Sequence, residues 1–174
     1  MLTHLTIAHL LWQQVVKPGD TVIDATAGNG HDSLFLASLG AKVIAFDIQP
    51  QAIENTRTRL GSFDITLHNI CHSRMKEVVL NEAIKLVVFN LGYLPGGDKS
   101  ITTLLETTLL AIKTGLELAT NISITCYPGH DEGLIEEKAI LDFLSTLDPK
   151  KWSISSHTFL NRERHPHLLF ITPR

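Results

Sequence analysis

The sequence predicts an α/β fold: a mostly parallel sheet of seven strands, helices on both faces, and an antiparallel C-terminal hairpin. Three observations carry this. Short apolar runs alternate with helical patterns over residues 21–126, the signature of strand–helix–strand crossovers. The run Val22-Ile23-Asp24 opens into a glycine-split turn, Ala27-Gly28-Asn29-Gly30, ahead of a helical pattern. The last two apolar runs, 152–159 and 168–172, are joined by a polar segment too short for a crossover helix, so they pair antiparallel.

Each element follows from local pattern. Leu5, Leu10, Leu11 and Val15 recur at helical spacing and predict an N-terminal helix that ends before Pro18-Gly19-Asp20. Strands are expected at 21–25, 42–46, 65–68, 86–90 and 122–126, with helices at 32–39, 51–60, 75–80 and 101–118 between them. A further helix over 134–147 precedes the hairpin. Asp98 or Ser100 is placed to cap the helix that starts at 101. No repeat, low-complexity run or linker interrupts the series, so residues 1–174 form one domain. Five parallel strands with a terminal hairpin resemble the Rossmann-like class I methyltransferase sheet, in contrast to the six parallel strands of a dinucleotide-binding domain.

Composition narrows the partners. The 174 residues are 44% hydrophobic, carry a net charge of −3 and have an estimated pI of 6.3, which argues against nonspecific coating of nucleic acid. Local basic spots remain, among them Arg57 with Arg59 and the tail bearing Arg162, Arg164, His165, His167 and Arg174. No apolar stretch is long enough for a membrane span and no cleavable leader pattern opens the chain, so a soluble cytoplasmic protein is expected. Two cysteines, Cys71 and Cys126, without C-x-x-C spacing fit a reducing compartment. The nine histidines are scattered without ligand spacing, and no metal site is expected.

The glycine turn reads as a cofactor cradle. Gly28 and Gly30 let the backbone take positive φ and approach a ligand, while the following helix offers unpaired N–H groups. Seventeen residues beyond Gly30, the second strand ends in Asp47, from which a carboxylate can hold ribose hydroxyls. The third glycine of the dinucleotide fingerprint is replaced by Ser33, and Asp24 stands four residues before the first. A carboxylate there repels a pyrophosphate but suits an ammonium, which favours S-adenosyl-L-methionine over a nicotinamide or flavin dinucleotide. Beyond the third strand, Asn69, Cys71 and His72 fall where adenine is expected, with packing as the other reading for Cys71.

The segment Asn90-Leu91-Gly92-Tyr93-Leu94-Pro95-Gly96-Gly97-Asp98-Lys99 begins at the carboxyl end of the fourth strand, on the same sheet edge as the cradle. An amide oxygen on Asn90 can accept a hydrogen bond from an amine, beside the aromatic face of Tyr93. That combination suits nitrogen as the nucleophile, because a neutral amine needs only to be held in line with an already activated methyl group. Tyr127-Pro128-Gly129-His130 follows the fifth strand on the same edge and either lines the acceptor pocket or forms a plain turn.

With Asp24-Ala25-Thr26-Ala27-Gly28-Asn29-Gly30-His31-Asp32, then Phe46-Asp47-Ile48-Gln49 and the run from Asn90 to Ser100, nearly the whole chain resembles the MnmM (YtqB-like) methyltransferases, long labelled rRNA methylases. The resemblance implies a class I fold and S-adenosylmethionine-dependent methylation of the 5-aminomethyl group on wobble uridine 34 of tRNA, giving 5-methylaminomethyl-2-thiouridine. It puts Asn29, Asp32, Asp47, Gln49, Cys71 and His72 on cofactor-side positions, Asn90 and Tyr93 on the methyl-transfer side, and Asn161 at the anticodon loop. Gly92, Tyr127 and His130 complete the expected acceptor pocket. Serine is usual where Cys71 stands, and a Pro-Pro pair where this chain has Pro166-His167. A homodimer would extend the basic surface of so small a chain over the tRNA anticodon stem-loop. The alternatives are an rRNA or small-molecule N-methyltransferase on the same scaffold, or a non-catalytic cofactor-binding subunit.

Overall fold

Parallel strands buried on both faces read as near-continuous apolar runs, as residues 86–89 do, all four of them buried. In the computed structural model, which describes residues 2–79, 82–98 and 100–174, seven strands form one sheet in the order β3-β2-β1-β4-β5-β7-β6. These are β1 Thr21–Asp24, β2 Lys42–Phe46, β3 Ile65–His68, β4 Ile84–Asn90, β5 Ala119–Cys126, β6 Trp152–His157 and β7 His167–Pro173. Pairing is parallel from β3 across to β5, and β7 runs antiparallel to both of its neighbours. The predicted sheet and hairpin are therefore present. The strand order reverses between β1 and β4, which opens a crevice at their carboxyl ends.

Helices cover both faces: α1 His4–Val15, α2 His31–Ser38, α3 Pro50–Leu60, α4 Met75–Val78, α5 Leu105–Leu118 and α6 Asp131–Ser145. Alternation along the central strands separates two apolar layers. Val22, Leu86 and Val88 pack with Ala8 and Trp12 of α1 and Leu36 of α2, whereas Ile23, Val87 and Phe89 pack with Met75, Ile112 of α5 and Ile140 of α6. Each such fully buried aliphatic side chain contributes about 1.5–3 kcal/mol relative to exposure.

Departures from the sequence expectations have tertiary causes. In α1 the buried pair is Ala8 and Trp12, one turn apart, while Leu5 and Leu10 face outward. Helix α5 begins four residues later than periodicity suggests, because Gly92 and Thr103 exchange hydrogen bonds that hold 101–104 extended, with an isolated bridge between Tyr93 and Thr102. Asp98 accepts from the amide and hydroxyl of Ser100, so neither residue caps α5, whose N-cap position is Leu104. The helix expected over 75–80 is a short turn, His72–Arg74, followed by Met75–Val78, and residue 80 lies outside the described residues. Pairing of Ile84 with Ala119 lengthens β4 and β5 at their amino ends.

Candidate active site

The crevice widens into a cavity of about 1230 Å³ lined by the loops after β1, β2, β4 and β5 and by the turn after β3. That exceeds the roughly 300–1,000 Å³ of an ordinary small-ligand site, leaving room for a cofactor and an acceptor side by side.

Along the ends of β1, β2 and β3 the wall is formed by Gly28, Asn29, Asp47, Gln49, Cys71 and His72. Gly28, at φ 53°, donates its N–H to Asp47 Oδ2 at 3.0 Å, and the Gln49 N–H reaches Oδ1 at 2.9 Å. These bonds fix the carboxylate and leave each oxygen a lone pair for a hydroxyl. Burial raises the Asp47 pKa, and the backbone N–H groups oppose the rise. His72 Nδ1 lies 3.1 Å from the Ala25 carbonyl, to which it can only donate. Its Nε2 is then an acceptor, buried and without a partner among the described residues, and burial lowers the ring's pKa so that it stays neutral. An adenine amino group is a donor of the kind such an orphaned acceptor needs. Cys71 accepts from the Ser73 hydroxyl at 3.1 Å. The Asn29 side chain is tied on both sides, donating to the Pro95 carbonyl and accepting from Asn55, so it braces the cradle against the loop after β4.

Two residues expected to touch the cofactor, Asp24 and Gly30, lie off the cavity wall. Asp24 is 1% exposed and is not part of the cavity wall. It accepts from the Ser33 hydroxyl at 2.6 Å and the Thr26 N–H at 3.2 Å, and burial, with Asp32 adding, raises its pKa to about 7. Gly30 is also off the wall. Its φ is 76° and a Cβ there would lie 2.8 Å from Thr56 Cα, so it serves the close packing of the turn on α3. Asp32 does line the cavity, and its carboxylate bonds Asn90 and His9.

Asn90 Nδ2 donates to Asp32 Oδ2 at 2.5 Å, and Tyr127 donates its hydroxyl to Asn90 Oδ1 at 3.0 Å. The Asn90 backbone N–H is taken by Thr26 Oγ1 at 2.7 Å. His9 Nε2 meets the other Asp32 oxygen at 3.1 Å, and His4 Nε2 meets the Tyr127 hydroxyl at 3.1 Å. Burial first, and then the Asp32 charge, raise the Tyr127 pKa, which keeps its proton in place. The Asn90 amide is thus held in one orientation, with a lone pair of Oδ1 still available.

Gly92, Tyr93 and His130 continue the wall beyond β4 and β5, and the Tyr93 and His130 rings lie 6.3 Å apart. His130 Nδ1 accepts from the Gly133 N–H at 3.0 Å and so caps α6, and Glu132 Oε2 lies 3.3 Å from the same nitrogen. Asn161 is exposed and is not part of the cavity wall. Asn69 points its amide at the Asp47 carbonyl instead of the cavity.

The family described as "Putative rRNA methylase" matches residues 43–173. A chloroplastic tRNA (mnm(5)s(2)U34)-methyltransferase of Arabidopsis thaliana is 42% identical over 187 residues, spanning 97% of this chain and 68% of the relative. This chain belongs to the rRNA methylase family. A crystal structure from Clostridium thermocellum with the same description superposes with a TM-score of 0.95 at 38% identity, covering 100% of this chain and 99% of that one. A Streptococcus mutans protein, described as a candidate methyltransferase and crystallised with SAH, gives a TM-score of 0.91 at 35% identity, with 100% and 99% covered. The fold is that of the class I methyltransferases.

In this rRNA methylase family member, sequence reasoning missed Thr26, His4, His9 and Glu136. Glu136 is buried between the hydroxyls of Thr103 and Thr108, and Thr103 in turn accepts from the Gly92 N–H, so α6 braces the loop after β4. Burial raises its pKa. No sequence spacing links these residues to Asn90.

Proposed function

We propose that this chain is an S-adenosylmethionine-dependent N-methyltransferase acting on the 5-aminomethyl group of uridine 34 in tRNA. The observation that carries the reading is the clamp on Asn90, a residue of the cavity wall whose amide nitrogen is held by Asp32 and whose Oδ1, taken once by Tyr127, keeps a second lone pair. The name of the Arabidopsis relative supports the same nucleoside.

Asp47, the Gly28 backbone, Gln49 and His72 would hold the cofactor's nucleoside, with Asn29 and Cys71 closing that side. When bound, S-adenosylmethionine supplies a methyl group already activated on a sulfonium. The chain's task is then positioning. Asn90 Oδ1 accepts an N–H of the neutral amine, which aims the nitrogen lone pair at about 3–3.5 Å from its target. Gly92 leaves the approach open, while Tyr93, Tyr127 and His130 flank a base splayed out of its strand. The half-buried setting favours the neutral amine over the ammonium, so no strong base is required.

Among the described residues no helix is long and apolar enough to cross a membrane. The two thiols are unpaired, which supports a reducing compartment such as the cytoplasm. A homodimer belongs to this reading because one chain covers little of an anticodon stem; sedimentation of the purified protein tests it.

The function is tested by incubating the protein with labelled S-adenosylmethionine and tRNA bearing 5-aminomethyluridine, then identifying methylated nucleosides by mass spectrometry. One added methyl at the wobble nucleoside, lost in Asn90→Ala, is expected. Methylation of ribosomal RNA or free amines in place of tRNA would reject the substrate.

A further inference from the structure

Arg164 combines three properties. It has a left-handed backbone, φ 46°, unlike every other non-glycine residue among those described. It lies on the cavity wall in the loop between β6 and β7. Its guanidinium has no hydrogen-bond or ion-pair partner among the described residues. A strained conformation at a bulky residue persists only where the surroundings impose it, and such residues gather at ligand sites.

The surroundings here are specific. His165 packs edge-on against Phe159 at 4.8 Å and against His4 at 6.0 Å, and its Nδ1 reaches the Pro166 carbonyl at 2.9 Å. Arg162 lies over the Phe159 ring at 4.8 Å. Because His4 bonds Tyr127 and Tyr127 bonds Asn90, the loop is moored to the clamp on the acceptor side of the cavity. Asp32 and Glu132 are acidic members of the same wall, and neither is bonded to Arg164. An unpaired guanidinium at the mouth of a pocket for a splayed base faces the backbone that enters with the base. Its planar fork of donors matches a phosphate.

We infer that Arg164 binds a backbone phosphate of the RNA strand adjoining the acceptor nucleotide. The inference rests on the RNA reading above and adds a contact that positions the strand without reading its sequence.

Arg164→Gly relieves the backbone while removing the charge, and Arg164→Lys keeps a charge without the fork. Fluorescence anisotropy with an anticodon stem-loop at several salt concentrations, together with methyl-transfer kinetics on that stem-loop, tests the contact. In Arg164→Gly the stem-loop Kd and KM are expected to rise about tenfold, with kcat retained and the logarithmic salt slope flattened by about 0.7. Arg164→Lys should recover part of the loss, and the Kd for S-adenosylmethionine should not move. Unchanged RNA affinity and slope would overturn the inference. So would weakened cofactor binding, which would assign the guanidinium to the methionine carboxylate. Because binding is measured without turnover, failure of the wild type to methylate the stem-loop would reject the wobble substrate while the salt slope still decides the phosphate contact.

Discussion

Asp32 and Asn90 form a directional pair, with the amide nitrogen of Asn90 donating to Asp32 Oδ2 at 2.5 Å. A carboxylate only accepts, so the pair determines which end of the amide points away from it. His9 occupies the other Asp32 oxygen at 3.1 Å, which stops the carboxylate from turning. The chemistry at the carboxyl end of β4 is thereby referred back to α1 and α2.

Asp32→Asn should abolish that directionality, since a carboxamide presents either a donor or an acceptor to Asn90. The expected outcome is kcat lowered about 10–100-fold with cofactor affinity changed less than about twofold. Steady-state kinetics with calorimetric titration of S-adenosylmethionine decides it. A collapse of cofactor binding at normal kcat would return Asp32 to the cofactor side.

Removing the hydroxyl in Tyr127→Phe leaves Asn90 Oδ1 with one donor fewer and His4 Nε2 without its partner. A loss of about 1–2 kcal/mol, or roughly tenfold in kcat/KM, is expected. Combined with Asp32→Asn, the two effects should be less than additive because both act through one amide. Full additivity in the double-mutant cycle would count against a shared clamp.

Two glycines separate strain from collision. Gly30→Ala meets positive φ and a backbone atom at 2.8 Å, whereas Gly96→Ala meets positive φ of 81° with nothing within 4 Å. Urea unfolding should show a loss of about 2–4 kcal/mol for the first and about 1 kcal/mol for the second. Equal losses would show that the contact with Thr56 yields freely.

Asp24 provides a pH test with a definite sign. Burial raises its pKa from 3.8 to about 7 in the folded chain, with Asp32 reinforcing the shift. The folded state therefore holds a proton that the unfolded state releases, and Asp24 loses stabilising effect as pH rises from about 4 to about 7. Asp24→Asn has no such titration and can retain both hydrogen bonds. The stability of the wild type relative to Asp24→Asn should fall through that window and level off above it, as measured by unfolding at fixed denaturant. A flat difference would reject the raised pKa.

The strand series, the two-sided apolar layering and the terminal hairpin were legible in the sequence because parallel strands with crossover helices leave a local signature: apolar runs, a glycine turn, and a link too short to cross over. The same pattern located Gly28, Asp47, Cys71 and His72, each of which follows a strand end and lines the cavity. Local pattern placed Asp24 and Gly30 beside a ligand because it records adjacency along the chain, not the direction of a side chain. Only the tertiary structure turned Asp24 into the interior toward Ser33 and pressed Gly30 against Thr56. The clamp joins residues of α1, α2, β4 and the loop after β5, separated by up to 123 positions between His4 and Tyr127. Hydrogen bonds across such separations impose no periodicity on a sequence, so the orientation of Asn90 was decided by packing alone.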